Sequence, residues 1–411
     1  MSSHSPSGRD DSALIESPAA WTRLAFSLLM STIGGVGLWS VVVALPAVQA
    51  EFGVARAEAS LPYTVAMVCF AVGGVVMGRL VDRFGIMWPL ISGAILLGLG
   101  YMLAASAGTL WQFALAQGLL IGFGAAATFG PLVSDISQWF TRRRGIAVAI
   151  CASGNYIAGA IWPSILQHFI STAGWRATHF WVGVFCLLTM LPLAVILRRR
   201  IVAPAPTAAA VHAAGQNALG LSPGALQALL AIAAIACCVA MSMPQVHIVA
   251  YCGDLGYGVA RGAEMLSLML GFGVVSRIAS GFIADRIGGV ATLLLGSALQ
   301  AATLLLYTFF NGLTSLYAIS ILFGLVQGGI VSSYAIIVRE YFAPQEAGTR
   351  LGIVLMASLG GMALGGWMSG VIFDFTGSYR AAFLNGLAWN MINVAIMLWL
   401  LKRPRPRLAA A

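Results

Sequence analysis

Twelve apolar runs, each of roughly 20 residues, divide this chain, and each is long enough to cross a ~30 Å hydrocarbon layer as a helix. They fall near 22–49, 59–81, 88–106, 112–138, 145–169 and 178–197, then near 225–251, 262–284, 290–310, 315–338, 348–373 and 380–401. Lipid offers no hydrogen bonds to a backbone, so such runs must satisfy their own peptide groups as helices. The fold class expected is an all-α membrane protein of twelve transmembrane helices. Composition agrees: 60% of residues are hydrophobic and 9% charged, and mean hydropathy is +0.91, where soluble domains carry about 25% charge.

The spans divide six and six around 198–224, a stretch rich in Ala, Pro and Gly that reads as a solvated linker. The domain reading is a tail over 1–20, a six-helix bundle over 21–197, the linker 198–224, a second bundle over 225–401 and a tail over 402–411. Lys and Arg are retained on the cytoplasmic side of short loops. With both termini inside, 17 of the 22 basic residues fall on that side, among them Arg79, Arg83, Arg142 to Arg144, Arg286 and Arg350; only Arg56, Arg176, Arg261 and Arg380 face out. Both termini are therefore expected in the cytoplasm of a cell membrane, a bacterial inner membrane being the expectation. The net charge of +9 is a topology signal, and its scatter over loops argues against a nucleic-acid partner.

The first 20 residues hold no apolar h-region, so a cleaved signal peptide is not expected. The six cysteines lie in or beside spans without CxxC or metal-ligand spacing and read as small packing residues. Neither a metal nor another cofactor is indicated. No nucleophile, metal cluster or pair of carboxylates converges within the spans, which argues against an enzyme.

An internal repeat is visible. "GRLVDRFG" (78–85) returns as "GFIADRIG" (281–288), and "GWRATHFWVG" (174–183) as "GSYRAAFLNG" (377–386), both with an offset of 203. Each copy holds the same place in its half, so the halves are parallel repeats about an axis along the membrane normal. These residues resemble the major facilitator superfamily, whose signature is a G-x-x-x-D-R-x-G loop after helix 2 with a weaker copy after helix 8. Gly78, Asp82, Arg83 and Gly85 match it, as do Gly281, Asp285, Arg286 and Gly288; the basic pair that usually follows is here Ile86 and Met87. The resemblance implies two six-helix bundles and a gate on the cytoplasmic side, in which Gly lets helices approach and Asp at a helix end holds that side shut.

A narrower resemblance rests on "WFTRRRGIAVAICASGNYIAGAIWP" (139–163) and "GVIFDFTGSYRAAF" (370–383), which are similar to the monocarboxylate transporter and oxalate/formate antiporter branch. That branch binds a substrate carboxylate through an Arg on helix 8, and Arg277 lies where it is expected. The drug-antiporter pattern on helix 5 is not met, since Gly154, Gly159 and Pro163 are spaced differently. The chain also departs from the branch. Gly273 stands where an acidic partner is usual, Ala47 where animal members hold Lys, and the eleventh span lacks a second cation. One cation suits a monoanion.

Arg277 stands about 12 Å from the end of its span at Asp285, at 1.5 Å per residue, too deep to snorkel freely. A charge at that depth costs at least ~2.5 kcal/mol unless it meets a wet cavity or a partner. No Asp or Glu lies near the middle of a span, so the partner expected is the solute; the plainer reading satisfies Arg277 with helix carbonyls, Gln or Tyr. Tyr63, Asn155, Tyr156, Gln245, His247, Tyr334 and Trp367 are the other polar or aromatic candidates for a central cavity. His247 is the candidate for a coupling proton. The Gly361/Gly365 and Gly366/Gly370 pairs have the small-xxx-small spacing of close helix packing. The function expected is a secondary transporter moving a small organic anion, a monocarboxylate, by alternating access, coupled to a proton or a counter-transported anion and acting as a monomer. A carrier of a larger neutral or aromatic solute and a transporter-derived sensor are the alternatives.

Overall fold

The computed structural model describes residues 14–199, 221–342 and 344–403. Among them the regular structure is helical, with no strand, and eleven helices are long and apolar enough to cross a membrane. One of these, Arg144–Ile196, runs for 53 residues, about 80 Å at 1.5 Å per residue and far longer than one crossing. Gly174 interrupts it with φ 83° and ψ 158°, which only glycine adopts cheaply. Divided there, the chain has twelve spans: α1 (Pro18–Phe52), α2 (Arg56–Phe84), α3 (Met87–Ala105), α4 (Leu110–Trp139), α5 (144–173), α6 (175–196), α7 (Pro223–Asp254), α8 (Val259–Ile287), α9 (Gly289–Phe309), α10 (Leu313–Tyr341), α11 (Pro344–Thr376) and α12 (Tyr379–Leu401).

Two boundaries differ from the sequence reading for the same reason. Ser17 accepts a hydrogen bond from the Ala20 amide and is followed by Pro18, and Ser222 does the same for Ala225 before Pro223. A Ser cap with Pro in the first turn starts a helix efficiently. Helix α1 thus begins inside the tail expected over 1–20, and α7 inside the linker expected over 198–224. Residues 1–13, 200–220 and 404–411, the rest of the expected tails and linker, lie outside the described residues.

The duplication extends to backbone geometry. Glycines with positive φ pair across the halves as Gly53 and Gly256, Gly85 and Gly288, and Gly174 and Gly377, each 203 apart (256 − 53, 288 − 85, 377 − 174). The fourth helix of each half is also broken, at 127–129 in α4 and at 328–329 in α10, within three residues of the 203 offset. The chain therefore forms two six-helix bundles, α1–α6 and α7–α12. A buried ion pair braces the first: the Arg23 guanidinium donates to both Asp135 oxygens at 2.7 and 3.0 Å and to the Leu197 carbonyl at 2.9 Å, tying α1 and α4 to the end of α6.

The bundles meet chiefly where α11 lies on α2 and α8 on α5. On α11 the two glycine pairs serve different contacts. A Cβ at Gly361 or Gly365 would lie 2.5 Å from the Ile235 carbonyl or 2.4 Å from that of Val239, both on α7 within the same bundle. A Cβ at Gly366 or Gly370 would lie 2.9 Å from the Tyr63 ring or 2.8 Å from the Ala57 Cα, both on α2 of the other bundle. One helix thus carries a permanent seam and a seam between the bundles.

Candidate functional site

A cavity of about 410 Å³ lies between the bundles. With twelve crossings both termini share one face of the molecule, here the terminal face. On α11 the lining runs from Gly352 to Met362, in the half nearer that face, and on α2 from Tyr63 to Val75. Beyond Tyr63 and Met362 the glycine contacts of α11 on α2 close the opposite face. The cavity therefore extends from mid-membrane towards the terminal face.

Arg277, Tyr63, Asn155, Tyr156 and Gln245 all line it, so five of the eight expected residues come together. Most of the remaining lining is apolar, with Trp39, Phe70 and Phe129 and the methionines Met67, Met241, Met356 and Met362. No Asp, Glu or His is among the lining residues. Four of the polar side chains keep a buried atom without a partner: Arg277 Nε, Tyr63 Oη, Asn155 Oδ1 and Gln245 Oε1. A buried donor or acceptor left empty costs about 1–3 kcal/mol, so these four side chains of the cavity wall carry hydrogen-bonding capacity that the protein itself leaves unmet.

Arg277 is held from the side of α5. Its Nη1 donates to the Ala152 carbonyl at 2.8 Å, and its guanidinium carbon lies 4.7 Å from the centre of the Tyr156 ring. The ring reaches that position because residue 273, one turn earlier on α8, has no side chain: a Cβ there would stand 2.6 Å from two ring carbons. Gly273 thus makes room for an aromatic face beside the guanidinium. An aromatic face attracts the cation without neutralising it.

Three expected cavity residues are elsewhere. His247 follows Gln245 by two residues, about 200° around a helix, and points away from the cavity between α11 and α12, where Nε2 lies 2.8 Å from the Gly366 carbonyl and Nδ1 3.0 Å from the Tyr379 hydroxyl. Tyr334 is buried within the second bundle, its hydroxyl 3.5 Å from Cys237 Sγ and from Asn393 Oδ1. Trp367 is rotated about 100° from Gly366, which faces α2, so its indole emerges on the outer surface, 39% exposed.

The duplicated loops lie at the terminal face. Gly85 and Gly288 end α2 and α8 with φ 79° and 83°, and each amide donates to the carbonyl four residues back at 2.8 Å. Asp82, Arg83, Asp285 and Arg286 are exposed. A Cβ at Gly78 or Gly281 would meet nothing within 4 Å, so the close approach expected at these two glycines is absent: α2 and α8 stand apart from other helices there.

Sequence alone places Arg56 only among the basic residues that face out, whereas the structure puts it at the centre of a cluster on the face opposite the termini. Asp374, near the end of α11, accepts from the Arg56 and Ala57 amides at 2.9 and 2.8 Å and so caps the start of α2. The Arg56 guanidinium donates to Asp254 at the end of α7 and to the Tyr379 hydroxyl at the start of α12, both at 3.0 Å. This cluster ties the first bundle to the second. The signal available was a lone Arg opening one span and acids closing two others.

Comparison with known sequences places this architecture. A profile of the Major Facilitator Superfamily matches residues 27–315 and 266–411. The chain belongs to that superfamily. Members are membrane transporters, not enzymes, and the protein is a multi-pass transporter of this kind. Monocarboxylate transporter 13 of Bos taurus is 30% identical over 331 residues, covering 80% of this chain and 76% of the relative. The agnestins efflux protein AgnL12 of Paecilomyces divaricatus is 24% identical over 330 residues, 80% of this chain and 74% of that one. Among solved structures, a bacterial homologue of the human lysosomal transporter Spinster, in an inward-facing and occupied conformation, superposes with a TM-score of 0.72 at 15% identity over 95% of this chain and all of that one; it supports the fold alone.

Proposed function

We propose that this transporter moves an organic monoanion with a bulky apolar body, using Arg277 as the partner of the solute's carboxylate. The observation that carries the reading is a permanent cation that lines a cavity whose lining has no acid, with its Nε left without a partner in the protein. A guanidinium can grip a carboxylate with two parallel bonds. The cavity volume falls within the ~300–1,000 Å³ of small-molecule sites, and its Met- and aromatic-rich wall suits a ring or chain larger than a two- or three-carbon acid. Similarity to a monocarboxylate transporter favours an acid, and similarity to an efflux protein leaves the direction open. The same apolar wall, with unpartnered oxygens on Tyr63, Asn155 and Gln245, supports a second reading in which a larger neutral solute is carried.

Alternating access then proceeds by rocking bundle 21–197 against bundle 225–401, with both termini in the cytoplasm of a cell membrane on the strength of the Lys and Arg bias. The Asp82 and Asp285 loops close the terminal face when the opposite one opens. The test is binding and proteoliposome flux of benzoate, phenylacetate, indole-3-acetate and lactate, each beside its neutral amide. Wild type should prefer the aromatic acids over lactate and over the amides. Losing one partner of a desolvated charge pair costs roughly 2–5 kcal/mol, so Arg277→Gln should weaken acid binding about 30-fold or more while amides change little, and Arg277→Lys should restore only part. Equal binding of acids by wild type and Arg277→Gln overturns the anion reading; tighter binding of the amides supports the neutral one.

A further inference from the structure

We propose that His247 is a proton-binding site which controls the face opposite the termini, and that one proton bound there from the medium on that side favours its opening. The site is separate from the cavity and independent of which solute is carried.

Hydrogen-bond direction fixes the tautomer of neutral His247 while that face is closed. The Gly366 carbonyl can only accept, so Nε2, at 2.8 Å, carries the ring hydrogen. Nδ1 of the neutral ring must then accept, and the donor is the Tyr379 hydroxyl at 3.0 Å. With its hydrogen so committed, the Tyr379 oxygen accepts from Arg56 Nη1 at 3.0 Å, and Nη2 of the same guanidinium reaches Asp254. The bonds run in one direction from α2 across α12 and α7 to α11. A proton on Nδ1 reverses one link: the Tyr379 hydrogen must leave it inside a buried cluster, and a second cation appears beside Arg56.

The division of charges between the bundles supplies the coupling. Arg56 belongs to the first bundle; His247, Tyr379, Asp254 and Asp374 belong to the second. With the face closed, the Arg56 guanidinium pairs with Asp254, and Asp374 caps the start of the helix that carries it. When α2 withdraws, both carboxylates remain with the second bundle and the guanidinium leaves, so the field that opposed an imidazolium at His247 turns towards favouring one. The proton replaces Arg56, and the open state binds it more tightly than the closed one.

Other charged or titratable groups near α7 do not substitute. Glu51 of α1 is engaged by Trp175 and Arg176, Glu264 of α8 by Arg261 and Tyr317, and Glu58 of α2 by the Ala55 amide. Tyr63 of α2 lies at the cavity, Tyr251 of α7 packs edge-to-face against Tyr379 and Phe383, Cys252 of α7 contacts Met265 of α8, and Tyr334 of α10 faces Cys237 and Asn393. Among the described residues, only His247 is wired to Arg56 through Tyr379.

By linkage, the ratio of open to closed changes by at most about tenfold per pH unit for one proton, rising as pH falls. Spin labels at Glu58→Cys and Ser378→Cys, exposed positions on opposite bundles, in a Cys69→Ala background in lipid nanodiscs, report the separation directly. Between pH 8 and pH 5.5 the wild-type distance distribution should gain a longer component. His247→Gln keeps a donor for Gly366 and an acceptor for Tyr379 but cannot titrate, and should stay closed throughout. Tyr379→Phe removes the hydroxyl that occupies Nδ1, so its midpoint should move to higher pH. A wild type that does not respond, a His247→Gln that responds as wild type does, or an unmoved midpoint in Tyr379→Phe each overturns the proposal.

Discussion

Replacing Gly273 by Ala tests the geometry around Arg277 with a single methyl group. The added carbon would stand 2.6 Å from both Cδ1 and Cε1 of Tyr156, closer than real side-chain contacts allow. The Tyr156 ring is rigid and buried, and its carbons cannot swing aside as the flexible end of a Lys or Met would. Either α8 retreats from α5 or the ring leaves the face of Arg277. Overpacking of this kind costs about 1–3 kcal/mol, and losing the stack of guanidinium on ring costs a further ~0.5–2 kcal/mol. Thermal unfolding in detergent should therefore show a lowered melting temperature, and binding of an aromatic acid should weaken. The decisive measurement is a double-mutant cycle. On a Tyr156→Ala background the methyl has space, so Gly273→Ala should cost almost nothing there, a coupling of about 1–3 kcal/mol between residues in contact. Additive effects, or a Gly273→Ala as stable as wild type, would show that the ring does not depend on the missing side chain.

Three further outcomes follow from other contacts. Gly370→Ala places a Cβ 2.8–2.9 Å from backbone atoms of Arg56 and Ala57, so it should hold the opposite face open and make a cysteine at Tyr63 accessible to an impermeant reagent from that side; unchanged labelling would count against this seam. Breaking the bidentate Arg23–Asp135 pair, whose side chains are buried at 2.7 Å, by Asp135→Asn should cost about 3–5 kcal/mol, whereas Arg23→Met with Asp135→Leu should recover most of it; melting temperatures in detergent decide. Asp82→Asn should slow flux while leaving solute binding intact, and unchanged flux removes the gating role of that loop.

The fold was legible because lipid turns length and polarity into topology. A run of about 20 apolar residues has one solution, and the offset of 203 between two motifs revealed the duplication that positive-φ glycines now repeat in the backbone. Helix ends were less visible at Ser17 and Ser222, since a Ser-Pro start lies outside the apolar run that defines a span.

The site was legible only where one physical quantity singled out a residue. Burying a guanidinium costs so much that Arg277 stood out alone, whereas an aromatic or a histidine in a helix is equally at home in a core, a seam or the lipid face. Trp367 and Gly366 are neighbours in sequence, yet one faces outwards and the other touches α2, and nothing in either residue type says which. Gly273 shows the same limit from the other side. Read alone, its resemblance to the monocarboxylate branch makes it an expected acid that is missing; with Tyr156 in place, it is the space that lets a ring lie against the guanidinium. The ring holds Arg277 without neutralising it, and so leaves its charge for the solute. Tyr156 in this place leaves no room for a side chain at position 273, and a coupling between helices 117 residues apart (273 − 156) is beyond any reading of one helix at a time.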